Sequence, residues 1–339
     1  MSKDIRLQQL THWIQQDLSN ATIEVASADA SFRRYFRISH RIRNNDENNV
    51  KTFIAMDAPP EQEDCAPFID VTQRLRDAGV HTPKIIKQDL DQGFLLMEDL
   101  GNTPYLNELN ENSADKLYGD ALATLLKIQQ ADTQGLPEYN DELLLDEMQL
   151  MPEWFLKTHL GIMPTTEQQK IIDRTLTVIS TVVLQQPQVF VHRDYHSRNL
   201  MITANDNPGV IDYQDAVLGP ITYDLVSLLR DCYISWSNEK IADWVLGYKP
   251  KAEATGLMDK VPETTFIQWF DMMGLQRHIK VLGIFARLNH RDGKTNYLDD
   301  LPLTLHYVMQ AGNKYPLIRP LIDLFNQWDI PQKIGAYKP

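Results

Sequence analysis

Val189–Asp215, VFVHRDYHSRNLMITANDNPGVIDYQD, is the stretch on which the reading of this chain turns. The apolar run Val189-Phe190-Val191 leads into His192-Arg193-Asp194, and Asn199 follows Asp194 by five residues. Leu200-Met201-Ile202 and Val210-Ile211 read as short strands separated by Asn205-Asp206-Asn207-Pro208-Gly209, a cluster of turn formers. Folded as a hairpin, Asn199 enters the outgoing strand and Asp212 leaves the returning one, so both fall at the same end. Paired strands stand roughly 5 Å apart, which lets an amide oxygen and a carboxylate share one hard cation. Asp194, on the loop before the first strand, faces that end.

An H-R-D-x-x-x-x-N run followed by an Asp after a hairpin is the arrangement of kinase-type phosphoryl transfer. The first Asp takes or orients the acceptor hydroxyl, and the Asn and second Asp hold Mg²⁺ against nucleotide phosphates. Asp194 is therefore the candidate catalytic residue, and Asn199 and Asp212 the candidate metal ligands. A lone HRD tripeptide would read as turn residues and a hydrogen-bonded core histidine. Here HRD, the spaced Asn, a hairpin and a second Asp coincide, which favours the site.

Outward from this stretch the chain divides in character. In the first hundred residues Glu24–Ser27, Tyr35–Ser39, Thr52–Met56 and Phe94–Glu98 read as strands, with Arg41–Lys51 as a hairpin loop. Glu61–Asp77 has helical spacing, with Phe68, Val71 and Leu75 on one side. Beyond Gly101 the apolar spacing predicts helices over Ser113–Gln130, Glu142–His159, Thr165–Gln185, Asp224–Trp236 and Thr264–Asn289. The expectation is an α+β chain with two lobes: residues 1–100, small and β-rich, and residues 101–339, larger and helical, joined near Glu98–Gly101.

Composition bounds the partners. With 339 residues, 43% hydrophobic and 23% charged, the chain is globular, neither disordered nor fibrous. A net charge of −13 argues against a protein that grips nucleic-acid backbones. Cys65 and Cys232 have no metal or disulfide spacing and read as buried thiols in a reducing compartment. The start, MSKDIRLQQLTHWIQQDL, reads as an amphipathic helix, and no apolar run nears the roughly 18 residues that span a bilayer. A cytoplasmic protein is expected, with no membrane partner.

These motifs resemble the aminoglycoside phosphotransferase/choline kinase superfamily, which has the bilobal protein-kinase-like fold, and the resemblance covers most of the chain. Ala28–Phe36 (ADASFRRYF) falls where that family places its phosphate loop, which implies nucleotide contacts from Ser31, Phe32, Arg33 and Arg34. Phe94–Gly101 (FLLMEDLG) resembles the hinge whose backbone meets the adenine, implicating Glu98 and Leu100. Gly219–Leu225 (GPITYDL) resembles the segment in which Asp224 braces the catalytic loop. ATP and Mg²⁺ are the implied cofactors. One departure stands out: the third-strand lysine is missing, and Met56 occupies its place. Either the chain is a catalytically silent nucleotide-binding regulator, or Arg33, Arg34 or Arg37 supplies the cation; the survival of Asp194, Asn199 and Asp212 favours the second.

The MDAPPE segment, the SFRRYFR loop and Gln276–Pro302 together resemble the anomeric N-acetylmuramate/N-acetylglucosamine kinases of bacterial cell-wall recycling. That implies an alcohol-accepting phosphotransferase acting on a small amino sugar. From Gly274 onward nine Lys/Arg stand against five Asp/Glu, in an otherwise acidic chain. On one helix Arg277, Lys280, Arg287, Arg291 and Lys294 would form a basic stripe, either a solvated face or a site for the lactyl carboxylate of N-acetylmuramate. Asp231, Arg230 and Trp236 are further candidates for the acceptor pocket. Trp154, Trp236 and Trp269 read as core more readily than as sugar platforms, Asp215 as a group near a second metal or equally a turn or cap, and His196 and Arg198 as loop braces. The rival functions are kinase activity on an aminoglycoside, choline or a protein hydroxyl, and silent nucleotide binding. A cationic acceptor fits poorly with the basic C-terminal segment, and Asp215 reaches Gly219-Pro220 too soon for a protein-kinase activation segment.

Overall fold

Strand alternation organises the first part of the chain. In β2 (Arg34–Arg41) Phe36 and Ile38 are buried between partly open neighbours, the period of two that gives a sheet one core face. The computed structural model describes residues 4–28, 32–41, 50–335 and 337. They fall into two units: Met1–Pro104 with Leu200–Asp215, and Tyr105–Asn199 with Ala216–Pro339.

The first unit is a five-stranded antiparallel sheet in the order β1-β2-β3-β5-β4, with β1 Thr22–Ala28, β3 Val50–Asp57, β4 Ile85–Asp89 and β5 Phe94–Glu98. Helix α1 (Ile5–Gln15) lays Leu10, Trp13 and Ile14 on Phe36, Ile38, Phe53, Ala55, Phe94 and Leu96. Its Asp4 N-cap accepts the Leu7 N–H at 3.0 Å. Helix α2 (Ala66–Asp77) begins five residues later than its sequence spacing suggests, with Pro in its first turn, where no backbone donor is needed. The hairpin of β7 (Leu200–Met201) and β8 (Gly209–Val210) belongs to this unit: the Val210 N–H bonds His81 O, the Ile202 N–H bonds Thr103 O, and Tyr213 meets Thr72 and Phe68 of α2. The stretch Arg41–Lys51, read as a hairpin loop, lies mostly outside the described residues.

The second unit is helical: α3 (Tyr105–Glu108), α4 (Ala114–Gln129), α5 (Asp141–Leu150), α6 (Thr166–Val183), α7 (Tyr223–Leu229), α8 (Asn238–Ala254), α9 (Glu263–Asp292), α10 (Leu301–Lys314), α11 (Arg319–Gln327) and α12 (Ile330–Ile334). Two short strands, β6 (Gln188–Val191) and β9 (Val217–Pro220), pair antiparallel. The helix expected over Glu142–His159 is α5 running into a π-helical turn, Met151–His159, where Pro152 removes one ladder donor. Helix α9 continues through Gly283 because the Leu150 backbone lies there, with Leu150 C 2.3 Å from where a Cβ would stand. It ends at Gly293 in the left-handed conformation (φ 69°). Helix α7 is shorter than its spacing suggests; the chain leaves the helix at Arg230 (φ −119°, ψ 53°) and carries Asp231 to the catalytic loop. Mixed α+β architecture, a five-stranded sheet and a larger helical part, is what the sequence led us to expect.

Candidate active site

The loop after β6 is pinned by buried carboxylates. Asp224, fully buried in the first turn of α7, accepts the backbone N–H groups of His192 at 2.7 Å and Arg193 at 3.0 Å. Burial drives its carboxyl up to about 7, against the pull of those two donors. Asp231 Oδ2 accepts Ser197 N–H at 3.0 Å and Ser197 Oγ–H at 2.5 Å, while its Oδ1 takes the Tyr233 N–H at 3.2 Å. The Arg193 backbone sits at φ 77°, a strained position for a side-chain-bearing residue. Its guanidinium is held by Glu147, which also receives Lys280 Nζ at 3.0 Å, Gln276 Nε2 at 3.3 Å and the Tyr139 hydroxyl.

Between these anchors Asp194 is half-buried, and no hydrogen bond to its carboxylate comes from another described residue. Burial alone would raise its pKa, but His196, Lys280, Arg277 and His192 outweigh it and hold the group below the usual range. Asp194 is therefore ionised at neutral pH. Its backbone oxygen accepts His196 N–H at 3.0 Å and Asn199 Nδ2 at 3.0 Å, so the loop closes on itself and the Asn199 amide is oriented. His196 stacks edge-on to Tyr233, and burial lowers its pKa. Exposed Arg198 lies 3.4 Å from the Tyr233 ring centroid. Both braces come from the loop itself, as the sequence suggested.

Asp212, in the first unit, follows β8 by two residues at φ 67°, and its Oδ1 accepts Gln214 Nε2 at 2.9 Å. Arg193 and Asp212, each within its own unit, hold a backbone conformation that costs roughly 1–3 kcal/mol.

The other candidates of the first unit are placed as follows. Ser31 lies outside the described residues. Phe32 is exposed, and its N–H donates to Glu63 Oε1 at 3.2 Å; the same carboxylate pairs with Arg33 at 3.0 Å. Arg34 is engaged by Asp57 and Asp4, and Arg6 joins it on the wholly buried Asp57. Met56 is fully buried in β3 opposite Leu95. Glu98 closes β5 through N–H to Lys84 O at 2.9 Å, and Leu100 packs against Gly209, where a Cβ would come within 2.8 Å of Leu100 Cδ1. Arg37 grips Asp99 at 2.8 and 3.0 Å and Gly101 O at 2.8 Å, which stiffens the hinge-like segment.

In the second unit the acceptor candidates separate. Asp231 braces the loop. Arg230 turns to Asp271 at 2.7 Å, and Trp236 donates its indole N–H to Tyr118 at 2.9 Å. The basic stripe is divided too: Arg277 and Lys280 are buried, Arg287 is half-buried, and Arg291 is exposed on Asp292. It is not a solvated face along its length. Glu147 and Tyr139 were missed by sequence reasoning, because no spacing links them to the HRD motif.

The phosphotransferase enzyme family (APH) matches residues 22–257. An N-acetylmuramate/N-acetylglucosamine kinase of Pseudomonas putida is 41% identical over 95% of this chain and 96% of its own. Another so named, from Neisseria meningitidis serogroup B, is 42% identical over 96% and 95%. Among solved structures, the GDP complex of wild-type aminoglycoside 2'-phosphotransferase-IIIa aligns with a TM-score of 0.61 at 15% identity, over 92% of this chain and 100% of that one. A choline kinase from Cryptosporidium parvum does so with a TM-score of 0.61 at 13% identity, over 94% and 99%. The structural likenesses speak for the fold, and the family match over residues 22–257 together with the near full-length relatives settles the family: the chain belongs to the phosphotransferase enzyme family.

Proposed function

We propose that this chain is a sugar kinase that transfers the γ-phosphoryl group of ATP to the anomeric hydroxyl of N-acetylmuramate or N-acetylglucosamine, in the cytoplasm. The observation that carries this reading is Asp194: an ionised carboxylate on a loop pinned at both ends, with no hydrogen bond from another described residue. Such a group accepts the acceptor's O–H hydrogen bond and takes its proton as the new O–P bond forms. Bound ATP with Mg²⁺ would supply the phosphoryl group and neutralise its charge. We assign Asn199 and Asp212 as metal ligands; amide and carboxylate oxygens are the hard donors that Mg²⁺ prefers, with phosphates and water completing its shell. Phe32, Arg33, Arg34, Glu98 and Leu100 of the first unit are assigned to the nucleotide, together with Ser31.

Asp212→Ala is expected to raise the Mg²⁺ concentration for half-maximal activity by about 10–100-fold and to weaken ATP binding. Asn199→Ala should act in the same direction more mildly, since a neutral ligand is lost. Mg²⁺ titrations of both variants check this; unchanged midpoints would remove the two residues from the metal.

The two loop arginines should part company. Arg34 helps to neutralise the buried Asp57, so Arg34→Ala lowers stability; solvent at Arg34 and the retained Arg6 limit the cost to about 1–2 kcal/mol. Arg33 pairs with Glu63 at the mouth of the loop, so Arg33→Ala should instead cost on the order of 10-fold or more in kcat/KM for ATP at constant sugar KM. Urea melts and two-substrate kinetics separate the two effects. Identical behaviour of the variants would sink the division of labour.

One observation favours a second reading. Met56, wholly buried where the family resemblance places a lysine, fits a silent nucleotide binder. An ATP turnover assay over a panel of amino sugars, with the product's phosphate position read by NMR, decides between the readings. Turnover on no sugar would overturn the kinase assignment.

A further inference from the structure

Most buried and half-buried cations of the second unit are paired with a carboxylate; among the described residues Arg277 and the less buried Arg287 are not. Arg193 and Lys280 share Glu147, Arg230 pairs with Asp271, and Lys249 pairs with Glu253. Burying a charge without a counter-ion is costly, so such pairing is what the interior demands. Arg277, in the middle of α9, is only 5% exposed, yet its one hydrogen bond among the described residues is a 3.5 Å contact from Nη1 to Cys232 Sγ, a weak acceptor. The nearby carboxylate of Asp231 is already taken by Ser197 and Tyr233. Arg277 is kept charged by the fields of Cys232, Tyr223, Asp231 and Asp194, and reciprocally it helps to hold Asp194 ionised. An under-partnered guanidinium therefore shares the neighbourhood of a carboxylate that takes no hydrogen bond from another described residue.

We propose that Arg277 determines acceptor specificity: its guanidinium receives the carboxylate of N-acetylmuramate while Asp194 receives the anomeric hydroxyl. The inference rests on the sugar-kinase reading above. The two sugars differ by a single lactyl ether, so one carboxylate is all that a discriminating residue has to recognise. A planar guanidinium with several N–H donors meets a carboxylate bidentately, which an ammonium cannot do. A packing role would be served by an apolar side chain of similar volume at lower desolvation cost. The site's other cation without a carboxylate contact, Arg198, lies exposed on the Tyr233 face, where solvent screening weakens discrimination.

The experiment is steady-state kinetics on wild type, Arg277→Met and Arg277→Lys with three acceptors: N-acetylmuramate, its carboxamide, and N-acetylglucosamine. Expected for Arg277→Met is a loss in kcat/KM for N-acetylmuramate about 10–100-fold greater than any loss on N-acetylglucosamine, the latter reporting the field that Arg277 exerts on Asp194. Arg277→Lys should recover part of the loss. Wild type should lose a similar factor on the carboxamide, and Arg277→Met should not distinguish acid from amide. The carboxamide arm uses only wild-type enzyme and so decides the matter even if the variants do not fold. Equal losses on both sugars, or a wild type indifferent to the carboxamide, would overturn the assignment while leaving the kinase reading intact. A wild type that phosphorylates neither sugar overturns both.

Discussion

Asp194→Asn is expected to reduce kcat by about 10²–10⁴-fold, the range for removing a positioned general base, with ATP affinity nearly unchanged. Asn preserves the shape and the backbone bonds to His196 and Asn199, so the loop should stay in place; what disappears is the proton acceptor. The pH dependence has a definite sign. The carboxyl is held below its ordinary range by His196, Lys280, Arg277 and His192, so it is ionised throughout pH 5–8 and becomes inactive only as pH falls through the lowered pKa. An acid limb between pH 5 and 7 would therefore belong to another group. Asp224, which braces the loop and is pushed up to about 7 by burial, and Asp300, pushed up to about 6 chiefly by burial, are the groups in range. Rapid-quench measurement of phosphoryl transfer, beside equilibrium ATP binding, checks the prediction. A variant retaining more than about a tenth of wild-type kcat would exclude a general-base role for Asp194.

How much of this was legible in the sequence depended on whether the cause was local. Phe94–Glu98 is observed as a strand with the bounds its composition suggested, because its apolar run is closed by polar residues. The HRD loop and its hairpin were legible because turn formers and apolar pairs lie within a few residues of one another. Strand β4 was missed, since the polar Lys87 and Gln88 and the exposed Ile86 weaken its pattern and pairing with β5 makes it a strand. Helix α8 was hidden by Gly247 and Pro250 inside it. The extension of α7 to Trp236 was over-read because Leu228 and Cys232 keep helical spacing. What ends the helix is Asp231, drawn to Ser197 from 34 residues away. At the site, motif spacing reached Asp194 and Asn199, and family resemblance reached Asp224. Neither reached Glu147, whose partners are 46 and 133 residues distant. Long-range ion pairs leave no periodicity to read.

That cluster carries the other large effect. Glu147, nine-tenths buried, is the counter-charge for two cations, Arg193 and Lys280, and accepts from Tyr139 and Gln276 as well. Glu147→Gln keeps the volume but leaves both cations without their anion, and breaking a buried pair in this way costs about 3–5 kcal/mol. The group's pKa is lowered: burial alone would raise it, but Lys280 and Arg193 more than offset that. Its stabilisation is thus present above the unfolded carboxyl pKa and lost as pH falls through the folded value, so the variant's deficit should be largest at neutral pH and shrink as the pH falls below the unfolded value. Activity should fall too, because Arg193 holds a strained φ immediately before Asp194 and is anchored through Glu147. The decisive measurement is a double-mutant cycle with Lys280→Met. That change should destabilise wild type, by leaving Glu147 short of one cation, yet be neutral or stabilising beside Glu147→Gln, where it removes an uncompensated charge. A coupling energy of about 1–3 kcal/mol is expected from urea unfolding. Strictly additive losses would mean that Glu147 and Lys280 do not act as a pair.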